Sequence, residues 1–344
     1  MGPPTPHVRL TRFGASALSF EPVLADLASS LVVDATAIAH DAPGFGLTLE
    51  PEKGEDALYG FASNARLGTA LVEQVEAEER AEVGGDADGN AGGEITQVYV
   101  GHSMGALTSA FMALDRLKRM DARSSEQRQQ HQQPRVTLIL VAPAILPMRE
   151  RPTGGSRRFL GGVVPRVGRF FWQTLGLHVA VLGTLRYFLR SLAYDKGFWQ
   201  RGLRLAWGEG SGPGDRTLSH YRLPSLKRGW DRSLARFVLA PLQQKPPGEG
   251  PSQEEQRGGT YANLVEELAA RVREGSLRLL LVHGQRDRVV PVPNTRRLHA
   301  AMPGSTLWEL PGIGHVPHEE APERFVQQIV DFLLLTEEDG GARG

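Results

Sequence analysis

Ser103 stands in Gly101-His102-Ser103-Met104-Gly105, with a glycine two residues away on each side. An alternating run rich in strand formers, Ile95-Thr96-Gln97-Val98-Tyr99-Val100, leads into it. A run with apolar residues at helical spacing (Leu107, Ala110, Phe111, Leu114, Leu117) leads out. This context predicts a tight strand-to-helix turn. A Cβ at either glycine would collide with the neighbouring strand or helix, and the strained turn lifts the serine hydroxyl clear and aims the next backbone N–H at the same spot. The competing reading is a serine that caps a helix from a glycine-rich turn.

A serine hydroxyl is a poor nucleophile near neutral pH until a histidine removes its proton. An acid must in turn fix the imidazole tautomer and stabilise its charged form. Asp287 is the acid candidate, in Leu281-Val-His-Gly-Gln-Arg-Asp-Arg-Val-Val-Pro291, just past an apolar strand. Loop aspartates commonly form turns, so the assignment draws on this phrase and its place downstream of Ser103. His315 is the base candidate, in the Gly-bounded loop Pro311-Gly-Ile-Gly-His-Val-Pro-His-Glu-Glu320. One helix and one strand fit between the two, which would bring their loops side by side. His318 competes as the base, but it falls where the final helical text begins and reads as an exposed or capping residue. His40, His102 and His283 flank strand ends and read as packed structural residues.

The elements that must position these groups alternate between strand and helix text, the pattern of a largely parallel α/β sheet. Strands are predicted near Asp34–Ala39, Ile95–Gly101, Val136–Val141, Leu277–His283 and Ser305–Leu310. Helices are predicted near Pro22–Ser30, Ala57–Val75, Met104–Met120, Pro293–Ala301 and Pro322–Leu335. Val136-Thr-Leu-Ile-Leu-Val and Leu279-Leu-Leu-Val are almost unbroken apolar runs, as expected for strands covered on both faces. The strand rhythm stops after about Pro147 and is replaced by aromatic, Arg-rich helical text such as Arg169-Phe-Phe-Trp and Arg186-Tyr-Phe-Leu-Arg190. The organisation is therefore a core over 1–147, an inserted helical cap over 148–262 with a disordered tract near 243–260, a second core part over 263–338 and a tail over 339–344. An insertion at that point would lie over the carboxyl ends of the strands, where open α/β sheets bind ligands.

The chain has 344 residues, 40% of them hydrophobic and 23% charged, the composition of a globular protein with room for one large α/β core. Its formal net charge of zero gives no electrostatic reason to bind nucleic acid. The chain contains no cysteine, so disulfides, thiolate metal sites and a cysteine nucleophile are excluded. No charged-then-apolar leader pattern is legible at the start, and Phe170–Leu189 is interrupted by Gln173, His178 and Arg186 too often for a membrane span. Asp86, Asp88 and Asn90 resemble the opening of a calcium loop. Ala91 and Gln97 stand where that loop needs a glycine and a bidentate glutamate, so the Gly84–Gly93 stretch reads as a solvated linker. No cofactor or metal pattern is present, and a small-molecule substrate is the expected partner.

Together, His40-Asp-Ala-Pro-Gly-Phe-Gly46, the Ser103 turn, the Asp287 loop and the His315 loop resemble the α/β-hydrolase superfamily, with its order of Ser, then acid, then His. The resemblance covers nearly all of the chain outside the insertions. A closer likeness is to plant and algal α/β hydrolases, many of them chloroplast-targeted. It rests on Phe13-Gly-Ala-Ser16, Pro43-Gly-Phe-Gly-Leu-Thr48, Val141-Ala-Pro-Ala-Ile-Leu146, Gly229-Trp-Asp231 and Pro317-His-Glu-Glu320. The resemblance implies an α/β-hydrolase fold with a helical cap, a Ser103–His315–Asp287 triad, and an oxyanion hole from the backbone N–H groups of Phe13 and Met104. It implies cleavage of an ester or related acyl bond through an acyl-enzyme, without a cofactor. The apolar, aromatic insertion adds an apolar or amphipathic substrate, and chloroplast placement follows from the resemblance alone. The family usually has two strands before an oxyanion loop reading His-Gly-Phe-Gly-Ala-Ser, whereas here Thr11-Arg12 stands where His-Gly is expected. The expectation is a sheet lacking its first two family strands, from a truncated sequence, with the strand near Asp34–Ala39 unpaired on one side. The same departure motivates the alternative of a catalytically silent, hydrolase-like binding or scaffold protein. A further use of the cap is peripheral membrane contact along Phe159–Leu192, with Arg186 and Arg190 one helical turn apart facing anionic lipid.

Overall fold

The computed structural model describes residues 6–12, 17–30, 35–52, 56–82, 96–123, 136–145, 193–208, 212–227, 229–239 and 261–334, with residues 184, 187, 190, 191 and 210. Within them, strands β1 (Pro6–Arg12), β2 (Ala37–His40), β3 (Thr96–His102), β4 (Val136–Val141), β5 (Leu277–Gly284) and β6 (Thr306–Leu310) form one sheet in the order β2-β1-β3-β4-β5-β6. Every adjacent pair is parallel. Parallel strands need crossovers, and the crossovers cover both faces with helices.

The strand alternation decides which residues meet which layer. Tyr99, Leu138, Leu140, Leu279 and Leu281 point into a core shared with α2 (Phe61–Glu82), α3 (Gly105–Arg123), α7 (Tyr261–Arg273) and α8 (Val292–Ala301). Val98, Val100, Ile139, Val141, Leu280 and Val282 point the other way. They meet Val23 and Leu27 of α1 (Glu21–Ser30) and Phe325, Ile329 and Val330 of α10 (Pro322–Leu334). Each such aliphatic side chain contributes roughly 1.5–3 kcal/mol by leaving water, which is why β4 and β5 carry apolar residues at consecutive positions.

The predicted strands and helices are all present, most with shifted ends, and two of the longer elements were not legible. β1 was missed because only Val8 and Leu10 alternate between Pro6, His7, Arg9 and Arg12, too short a pattern for a strand. It lies inside the sheet, in register with β3 so that Arg12 pairs with His102, and Thr11 and Arg12 are therefore strand residues instead of loop. Helix α7 carries Leu264, Leu268 and Val272 at four-residue spacing and packs them into the core. β2 lies at the sheet edge and pairs with β1.

Between β4 and β5 the described chain is helical: α4 (Lys196–Ala206), α5 (Asp215–Arg222) and α6 (Trp230–Leu239). Asp195 caps α4 by accepting the Gly197 N–H at 2.8 Å. Leu203, Ala206, Trp207 and Leu218 form a small apolar cluster with Val316, which lies past β6. On the other side, Arg232 pairs with Glu50 at 2.6 Å and the Tyr59 hydroxyl lies 3.3 Å from Ser233 Oγ. These helices thus rest on loops that follow the carboxyl ends of β2 and β6. Arg190 is engaged by the fully buried Asp231, at 3.1 Å. Most of the Phe159–Leu192 run, the Gly84–Gly93 linker and the 243–260 tract lie outside the described residues. Among the described residues no helix is long and apolar enough to cross a membrane.

Candidate active site

Ser103 sits on the predicted strand-to-helix turn between β3 and α3, in left-handed backbone with φ 55°. That conformation costs a non-glycine residue roughly 1–2 kcal/mol and is held by neighbours. The Ser103 N–H donates to the Val141 carbonyl at 2.9 Å, and the Ser103 carbonyl accepts from Ala144 at 3.1 Å and Ala106 at 3.2 Å. Ala142, also left-handed at φ 44°, turns the chain after β4 so that Ala144 can reach. The glycine requirement has a direct cause: a Cβ on Gly101 would lie 2.7 Å from Ala106 Cα and 2.8 Å from the Gly105 carbonyl oxygen. Ser103 and Met104 are half-buried. Phe13 lies outside the described residues.

Asp287 and His315 occupy facing loops, and the loops are stitched together. The Arg286 N–H donates to the Ile313 carbonyl at 2.8 Å. Gly284 passes so close to the second loop that a Cβ there would sit 2.0 Å from the Gly314 carbonyl oxygen. His315 Nδ1 donates to Asp287 Oδ2 at 2.7 Å, with both side chains buried. Nδ1 therefore carries the proton and Nε2 keeps a lone pair, the tautomer of a general base. The other oxygen, Oδ1, accepts the N–H groups of Val289 at 2.7 Å and Val290 at 2.9 Å.

His283 completes the shell around Asp287. Its Nε2 lies 3.0 Å from the Val290 carbonyl and 3.1 Å from Asp287 Oδ2, two acceptors, so Nε2 is protonated. Its Nδ1 accepts from the Thr295 hydroxyl at 2.6 Å. Burial on its own would raise the Asp287 carboxyl; the hydrogen bonds from His283 and His315, the attraction to the His315 ring when that ring is protonated, and the Val290 N–H outweigh it. The group is held well below the usual carboxylate range.

His102, next to Ser103, donates from Nε2 to the His315 carbonyl at 2.7 Å, and the two rings pack at 4.6 Å. The turn bearing the candidate nucleophile is thereby tied to the loop bearing the candidate base. His40, His102 and His283 are buried as expected, but the last two also orient the site. Their signal was position: His283 is four residues before Asp287 and His102 directly precedes Ser103. His318 is corrected by the structure. Instead of being exposed, it is fully buried, stacked on Phe20 at 4.5 Å and edge-on to His102 at 4.8 Å. The turn of Pro317–Glu320 (α9) directs its ring inward.

Asp41, in the phrase after β2, accepts the N–H groups of Ala17 at 2.6 Å and Leu47 at 2.9 Å. It links the segment that follows residues 13–16 to the Pro43–Thr48 loop. Gly46 makes this link possible, because a Cβ there would overlap the Asp41 carboxylate at 2.0 Å. In the sequence Asp41 is one residue of the His40–Gly46 phrase, and no role of its own was assigned to it there.

A model of the alpha/beta hydrolase family matches residues 13–328. The uncharacterized hydrolase YugF of Bacillus subtilis is 44% identical over 54 residues, which are 16% of this chain and 20% of that protein. The uncharacterized protein Rv2715 of Mycobacterium tuberculosis is 40% identical over 57 residues, 17% of each chain. The chain thus aligns with about a fifth of the length of these curated relatives. An esterase from Exiguobacterium antarcticum superposes with a TM-score of 0.55 at 16% identity, covering 97% of this chain and 93% of that one. The same coverage holds for a serine hydrolase involved in carbazole degradation, with a TM-score of 0.54 and 16% identity. At such identities the likeness is one of fold.

Proposed function

The chain belongs to the alpha/beta hydrolase family, and from that premise we propose that it is a serine hydrolase acting on an ester or related acyl bond. Ser103 Oγ attacks the acyl carbonyl while His315 Nε2 takes the hydroxyl proton. Asp287 holds the imidazole by Nδ1 and stabilises its charged form. The backbone N–H groups of Met104 and Phe13 receive the oxyanion. The tetrahedral intermediate collapses, His315 returns the proton to the leaving alcohol, and an acyl-Ser103 remains. Water, deprotonated by His315, then releases the acid and restores the serine.

The observation that carries this reading is the buried 2.7 Å hydrogen bond from His315 Nδ1 to Asp287, on a loop tied to the Ser103 turn. The apolar, aromatic sequence between β4 and α4 is what supports an apolar or amphipathic small-molecule substrate.

The test is labelling of the purified chain with a fluorophosphonate, read by intact mass, with Ser103→Ala as control. One adduct on the wild type and none on the variant is the expected result. A folded wild-type chain that takes no adduct would overturn the proposal in favour of a silent, binding protein. A series of acyl esters then addresses the substrate: long-chain esters should turn over faster than short polar ones, and the reverse order would reject the amphipathic substrate.

A further inference from the structure

Glu320 joins the insertion to the loop of the candidate base through one carboxylate. Its two oxygens each lie 3.0 Å from the Gly208 backbone nitrogen, just past the end of α4, and Oε2 also accepts the Gly314 N–H at 2.9 Å. Gly314 directly precedes His315. The His315 N–H in turn donates to the carbonyl of Ala206, the last residue of α4, at 2.6 Å. The two backbones touch without intervening side chains. A Cβ on Gly314 would lie 2.3 Å from the Ala206 carbonyl oxygen, and one on Gly208 would lie 2.1 Å from that of Gly312. Trp207 and Val316, both nearly fully buried, seal the same junction. His315 is thus clamped from two directions: the insertion takes its N–H, and His102 binds its carbonyl.

We infer that Glu320 is a positioning residue for His315, acting through the Gly208 and Gly314 amides so that the end of α4 and the imidazole are set as one unit. This inference rests on the serine-hydrolase reading. Hydrogen bonds to an ionised carboxylate are roughly twice as strong as neutral ones, and a carboxylate supplies acceptors toward both amides at once. The 206–208 segment therefore acts as part of the base's support, and its displacement would carry His315 away from Ser103.

The experiment measures the second-order rate of fluorophosphonate labelling, and kcat and KM on a reactive acyl ester, for wild type, Glu320→Ala, Glu320→Gln and Tyr221→Phe. Tyr221 provides the control, because its hydroxyl ties α5 to Glu319 at 2.9 Å, an anchor of these helices beside Glu320 that is separate from the Glu320 contacts to the Gly208 and Gly314 amides. Misplacing a catalytic group by about 1 Å costs on the order of 10²-fold. Glu320→Ala should therefore label about 100-fold more slowly, with one adduct at completion, kcat lowered and KM within about twofold. Glutamine can place its carbonyl oxygen where Oε2 lies and accept from both amides, but its NH2 then turns a donor toward the Gly208 N–H where Oε1 had accepted, and the charge is lost. Glu320→Gln should lose only about fivefold, the worth of one ordinary hydrogen bond, and Tyr221→Phe less than twofold.

Wild-type labelling rates in both Glu320 variants would overturn the inference, as would an equal loss in Tyr221→Phe, which would make the effect general anchoring of the insertion. A change confined to KM would also overturn it. If Glu320→Ala fails to fold, the glutamine variant decides alone, and an unchanged rate there refutes the role. Failure of the parent reading is distinct, because the wild type itself would then take no adduct on Ser103.

Discussion

Asp287→Asn is the perturbation that tests the site most directly. The Asp287 Oδ2 atom accepts from two buried imidazoles, His315 Nδ1 at 2.7 Å and His283 Nε2 at 3.1 Å, while Oδ1 is occupied by the Val289 and Val290 amides. Those amides fix the orientation of an asparagine: its carbonyl oxygen must face them, which leaves its NH2 facing both histidines. His283 is held as the Nε2–H form by the Val290 carbonyl and Thr295. His315 can relieve the clash by moving its proton from Nδ1 to Nε2, the atom that must accept the serine proton. The wrong tautomer in this position costs about 10⁴-fold in kcat, or roughly 5.4 kcal/mol of barrier at about 1.36 kcal/mol per decade. The assay is the rate of fluorophosphonate labelling together with kcat on a reactive ester, with folding followed by circular dichroism. A folded Asp287→Asn protein within tenfold of wild type would refute the assignment of Asp287 as the orienting acid.

Asp287 also gives the protein an acid-labile component of stability. Its folded-state carboxyl lies below the usual carboxylate range, so the unfolded chain binds more protons as pH falls below about 4. The stabilisation is fully present above the unfolded value and is lost as pH drops through the folded one. The urea midpoint of wild type should therefore fall more steeply than that of Asp287→Asn between about pH 5 and 3, and parallel curves would contradict it. Gly101→Ala places a Cβ 2.7 Å from the Ala106 backbone and should lower stability by about 1–3 kcal/mol, measured by denaturant unfolding; an unchanged midpoint would count against the packed turn. Asp41→Ala leaves the Ala17 and Leu47 amides without their acceptor and should cost about 1–3 kcal/mol for each group left dry. Hydrogen exchange at those two amides should rise, and unchanged protection would contradict the assigned link.

Much of the fold was legible because sheet strands covered on both faces leave a strong local trace. Val136–Val141 and Leu279-Leu-Leu-Val read as almost unbroken apolar runs, and the structure buries both entirely. The glycines around Ser103 were legible for the same reason: sterics of a few ångströms restrict the residue types at the turn. β1 was not, since its short pattern of Val8 and Leu10 is indistinguishable from a polar terminus until β2 and β3 pair with it on both sides. His318 was misread because four residues of helix, α9, set its direction, and one turn of helix has no periodicity to detect.

The sequence by itself determined the chemistry on offer: a serine between glycines, an aspartate past a buried strand and a histidine in a glycine-bounded loop. These are local facts, written in residue types and short spacings. Only the tertiary structure decided which groups meet. The His102 contact joins the end of β3 to the His315 loop across 213 residues through the sheet order, and Glu320 reaches Gly208 across 112 residues of chain. Such contacts depend on three-dimensional packing, because a hydrogen bond needs two groups within about 3 Å, and sequence separation carries no information about that distance.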